Sequence, residues 1–139
     1  MKLKLSMLFF LALTTHAFSK QTDINHVYGY WRFDKNHFKE VHPMWIGWMI
    51  KKAMNTRLFI SENEYIQYMK PKKVYGSIRP IVDMSFDKNK WIFKRKEKST
   101  LVPFQIYHED GKWFFKEGKK VYQVHKDNDL EIKAWYESK

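Results

Sequence analysis

"VPFQIYHEDGKWFFKEGKKVYQVHK", residues 102–126, decides the class of fold. Val102, Phe104 and Ile106 recur at every second position, so they share one face of an extended chain. "EDG" at 109–111 is a hairpin turn signal, and "KWFFK" follows it directly. "EGK" then separates that segment from "KVYQVHK". Short alternating runs divided by tight turns read as antiparallel sheet.

The same pattern extends in both directions. Downstream, "KDND" turns into "LEIKAWYE", with Leu130, Ile132, Ala134 and Tyr136 on one face. Upstream, "DKNK" turns into "WIFKRKEK", whose inner face starts with Trp91 and Phe93 and fades into charge. Before it, "KVYGSIRPIVDMSF" is a long strand with Val74, Ile78, Val82, Met84 and Phe86 on one side. Gly76 and Pro80 bend it or place it on an edge. "RLFIS" and "EYIQYM" flank "EN", and "YGYWRFD" at 28–34 is a further strand. The expected fold is mainly β: a small antiparallel barrel of eight to nine strands, since closure removes exposed edges.

"HPMWIGWMI", residues 42–50, breaks the alternation. Pro43 suits the first turn of a helix. Lys51 and Lys52 suit its C-terminal end, where cations favour the dipole. The expected helix covers about 43–54 and is inserted after the first strand. Twelve or so residues fall short of the ~20 that cross a bilayer. A helix apolar on most sides must be covered, so it is expected to pack on the open end or side of the barrel. Trp45 and Met49 would face inward and Trp48 would lie nearer the rim.

The chain begins "MKLKLSMLFFLALTTHAFSK". Lys2 and Lys4 precede an apolar run from Leu5 to Leu13, and Ala17 and Ser19 place small residues before a cut after Ser19. This is the pattern of a cleaved secretory signal over 1–19, leaving one domain over 20–139 in the periplasm or outside the cell. The chain has no Cys, so neither a lipid anchor on Cys nor a disulfide is available, and stability must come from packing.

The formal charge is +11, and loss of Lys2 and Lys4 with the signal lowers it to +9. Such a surface attracts anionic lipid or an acidic protein partner, or simply keeps the protein in solution. Aromatic and basic residues interleave in "KNKWIFKRKEK", but Trp91, Phe93, Trp113 and Phe115 have strand spacing and are expected in the core, so nucleic acid is not an expected partner. His37, Glu40 and His42 lack the spacing of a helical zinc motif. His108 and His125 belong to neighbouring strands and are candidates to face one another. No nucleophile elbow, phosphate loop or acidic metal cluster is present in the sequence. An enzyme, a metal and a cofactor are therefore not expected.

Gly29-Tyr30-Trp31, followed by a helix and a run of antiparallel strands, resembles the Gly-x-Trp first strand of the lipocalin-like (calycin) group. The resemblance implies that Gly29 and Trp31 form a plug at the closed end of the barrel. In that group a late Arg stacks over the Trp. Here no Arg follows Arg95, and Lys133 is the nearest substitute. Members of the group are also longer and place their helix after the strands. The resemblance further implies an interior that holds an apolar or amphipathic ligand, or one packed solid. Trp45, Trp48 and Met49 would line or gate such a cavity, with Tyr65 and Phe104 on its strands, since ligand pockets are mostly apolar with few polar groups. The alternative is a periplasmic inhibitor or immunity protein that neutralises an envelope-acting enzyme, with the Lys-rich face steering it onto an acidic partner.

Overall fold

The computed structural model describes residues 23–70 and 78–128. The expected signal over 1–19, Val74 and Gly76 of the long strand, the strand over 130–137 and Lys133 lie outside the described residues.

Eight strands form one closed antiparallel barrel in which each strand pairs with the next and the last returns to the first. They are β1 (Gly29–Phe33), β2 (Thr56–Ile60), β3 (Glu64–Met69), β4 (Ile78–Asp87), β5 (Lys90–Glu97), β6 (Thr100–Glu109), β7 (Lys112–Glu117) and β8 (Lys120–Asp127). The fold class read from the sequence is the one observed. Closure rests on β1, where Trp31 pairs with Leu58 of β2 on one side and with Lys126 of β8 on the other.

The hairpins follow from their turn residues. Asp110 and Gly111 both take positive φ (52° and 76°), as do Lys88 and Asn89 (50° and 65°). Two consecutive left-handed residues match the twist of the flanking strands. Gly118, at φ 61°, serves the β7–β8 turn at no steric cost.

Trp31, Leu58, Ile60, Phe93, Phe104, Ile106, Phe115 and Val124 fill the barrel interior, with Trp91 and Trp113 packed against them. On the long strand the expected face is broken. Val82 and Met84 are exposed, while Ile81 packs against the core. A register shift between Ile81 and Asp83 interrupts the alternation directly after Pro80. Pro80 pairs in register with Glu64, so it is part of the closed barrel wall and not on an edge.

Two helices connect β1 to β2: α1 (Lys35–Val41) and α2 (Gly47–Met54). The helix expected over about 43–54 is observed as α2, which begins four residues later, whereas α1 was not expected from the sequence. Asp34 caps α1 by accepting from the His37 backbone N–H at 2.9 Å. His42 then leaves the helical region, with φ −124° and ψ 68°, because the residue before a proline is disfavoured there. Pro43 and Met44 therefore form a turn, and α2 begins only at Gly47. Phe38, Ile50 and Ala53 seal the helices onto Phe33 and Tyr122 of the barrel.

Candidate functional site at the helix-covered end

Between the two helices and the end of the barrel lies a cavity of about 560 Å³. Phe38, Trp45, Trp48 and Met49 line it from the helical side, and Phe33, Leu58 and Phe115 from the strands. Tyr65, Gln67 and Glu117 supply polar groups deeper in, and Lys52 and Lys120 supply cationic ones.

The helical wall is an aromatic stack. The His42 ring lies 4.2 Å from Trp45 at an interplanar angle of 28°. Phe38 stacks on Tyr122 at 5.3 Å. His42 Nε2 and the Tyr122 hydroxyl are 2.7 Å apart, and the tautomer decides which donates. Burial lowers the pKa of His42, and nearby Lys120 lowers it further, so the ring is neutral at pH 7. The other helical histidine is also structural: His37 Nδ1 accepts from the Gln123 backbone N–H at 3.0 Å. His37 and His42 thus tie the helical insertion to β8.

Below the cavity the barrel interior carries charge. Arg95 is buried, with its guanidinium 4.4 Å over the Tyr65 ring and 5.5 Å from that of Phe104. It pairs with Glu117 through Nη1 and with Glu97 through Nε at 3.1 Å. Arg79 reaches the same Glu97 carboxylate at 3.6 Å. Two arginines against two glutamates leave the cluster near neutral, the condition under which buried charge is tolerated. Tyr65 donates to Gln67 Oε1 at 3.1 Å, and burial raises the pKa of its hydroxyl.

The sequence reading did not single out Arg95. The available signal was parity, since Arg95 and Glu97 continue the inward series of Trp91 and Phe93. Of the residues it did single out, Trp45, Trp48, Met49 and Tyr65 line the cavity together. Phe104 does not. It is stacked on Phe93 at 5.1 Å and fully buried beneath Tyr65, because it stands mid-strand where the interior is packed solid. Trp45 precedes α2 and reaches the cavity from the turn, while Trp48 on α2 is the more exposed of the two.

At the opposite end Trp31 is fully buried, and its Nε1 donates to the Val27 carbonyl at 2.9 Å. Lys126 of β8 is the cation over its ring, at 4.6 Å. Register explains the choice, because Lys126 is the β8 residue paired with Trp31. His125 does not face His108. Its Nε2 is 2.8 Å from Asp34 Oδ1, whereas His108 packs on Trp113.

Among the described residues, no group of three or more His, Cys, Asp or Glu side chains gathers as a metal would require. No helix there is long and apolar enough to cross a membrane. The chain matches no protein-family model, no curated protein and no solved structure.

Proposed function

We propose that the chain is an exported, non-enzymatic binding protein of lipocalin-like architecture that holds an amphipathic ligand under α2. The observation that carries this reading is the cavity of about 560 Å³ between the helices and the barrel. Its volume lies within the roughly 300–1,000 Å³ of ligand sites, and its composition, mostly aromatic and aliphatic with a few polar groups, is theirs too. An apolar tail would lie along Phe38, Trp45, Met49 and Leu58. An anionic head would meet Lys52 and Lys120. Gly29, Trp31 and Lys126 at the other end support the lipocalin-like reading, with lysine in place of arginine.

The test is a titration with a long-chain fatty acid below its micelle concentration, read by tryptophan fluorescence. A saturable shift that Trp48→Ala weakens supports the proposal. A spectrum unchanged up to the solubility limit sinks it. Export is tested separately by mass spectrometry, which should find Lys20 at the N-terminus of the secreted protein.

A further inference from the structure

The turn between α1 and α2 leaves large apolar side chains in water. Met44 is 88 % exposed, Ile46 57 %, Trp48 62 % and Trp45 41 %. From those fractions, at about 150–250 Å² for a large side chain, the patch presents on the order of 500 Å² of largely apolar surface. A patch of that size is at the upper end of what a monomer ordinarily exposes, and such patches are often functional.

Lysines surround it. Lys35 and Lys39 of α1 and Lys51 of α2 line a groove of about 610 Å³ that also contains Pro43 and Trp45. Lys52 and Lys120 line the cavity on the other side of the tip. Among the described residues none of these five pairs with a carboxylate. The two helices carry four lysines against one acid, Glu40.

We infer that this tip docks on an anionic lipid bilayer, with Met44, Ile46 and Trp48 in the acyl boundary and the lysines against headgroup phosphates. Elements that lie in the membrane interface combine these two features, an apolar face flanked by lysines with tryptophan at headgroup level. Charge argues against a second copy as the occupant, because a two-fold contact would set the same lysines against each other. Docking would hold the cavity mouth, through Trp45 and Trp48, at the lipid surface. Ligand transfer there rests on the function proposed above, whereas the docking itself does not.

The test is co-sedimentation of the purified protein with vesicles of phosphatidylcholine alone or mixed with phosphatidylglycerol. Parent and variants share one N-terminus, so residues 1–19 cannot explain a difference between them. The parent should partition onto the anionic vesicles about tenfold more strongly or better, and added salt should weaken it. Met44→Glu combined with Ile46→Glu should abolish partitioning while fatty-acid binding in solution persists, because neither residue lines the cavity. Lys35→Glu with Lys39→Glu should lower it by about fivefold per lysine or more. Equal binding to both vesicle types, no binding to either, or undiminished binding of the Met44/Ile46 pair overturns the inference. Dimerisation that this pair of substitutions abolishes, without vesicle binding, assigns the tip to a second copy and overturns it as well. Loss of fatty-acid binding with vesicle binding intact would instead strike only at the proposed cavity function.

Discussion

The Lys126 ammonium lies 4.6 Å over the Trp31 ring and donates to the Tyr28 carbonyl oxygen. One cation thus joins the end of β8 to the entry of β1 and covers the residue that closes the barrel. The head is held against the ring and the carbonyl although the residue as a whole is exposed. Burial of that head lowers its pKa to about 8.

Gly29 is the residue that makes room for this contact. Its φ is +129°, and a Cβ there would stand 2.9 Å from Lys126 Nζ. Gly29→Ala should destabilise the fold by about 1–3 kcal/mol through backbone strain. Urea denaturation should show a lower midpoint with an unchanged slope. A midpoint equal to the parent's would mean that β1 tolerates a side chain at this position.

Trp31→Ala should be more damaging. The ring is fully buried among Val27, Trp113 and the strands of the core. Truncation of such a residue costs about 3–5 kcal/mol, in transfer and cavity terms together. Thermal unfolding should report a large fall, and a melting temperature like the parent's would remove Trp31 from its place as the plug.

The depressed pKa of Lys126 makes stability depend on alkaline pH. Between about 8 and the ordinary lysine value of 10.5 the unfolded chain binds a proton that the folded chain does not. Stability contributed by this group therefore rises as pH rises through that window. Side-chain NMR of Lys126 should show a midpoint near 8, and Lys126→Met should flatten the alkaline rise. A lysine that titrates at its ordinary value would contradict the burial of the ammonium.

Arg95→Met should destabilise by about 1–3 kcal/mol, because it leaves the Glu117 carboxylate without this cation and Glu97 with Arg79 alone. Both glutamate side chains keep some water, at 39 % and 37 % exposure, so the larger penalty of a fully buried orphan charge does not apply. Adding Glu117→Gln to Arg95→Met should recover part of the loss. A double variant less stable than Arg95→Met alone would show that Glu117 has another stabilising partner.

Trp48 and Phe104 should separate a cavity wall from a core residue. Trp48→Ala removes a largely exposed side chain and should change stability by less than about 0.5 kcal/mol. Its effect should fall on fatty-acid affinity. Phe104→Ala should cost about 3–5 kcal/mol in the packed interior. Chemical denaturation together with ligand titration checks both, and a reversed pattern would relocate the cavity.

The β architecture was legible in the sequence because strand identity is a local property. Alternation along 102–106 and the Asp110-Gly111 turn need nothing beyond neighbouring residues to be read, and the structure contains the hairpin they imply. The length that keeps 42–54 from spanning a bilayer was equally local. The late start of α2, at Gly47 and not at Pro43, had a local cause as well, because the proline keeps His42 out of the helical region and stands in the turn between the helices.

The cation over Trp31 was decided at long range. Nothing local marks Lys126 for that place, and it is the β1–β8 register that sets it opposite Trp31. The sites of His42, Tyr122, Arg95 and Glu117 were decided in the same way, because a buried hydrogen bond or ion pair needs a partner from a distant strand. By itself the sequence determined where strands and turns fall, since backbone preference and side-chain period act over a few residues. Which strands meet, and so which cation covers Trp31 and which side chains surround the cavity, only the tertiary structure decided, because barrel closure fixes every register at once.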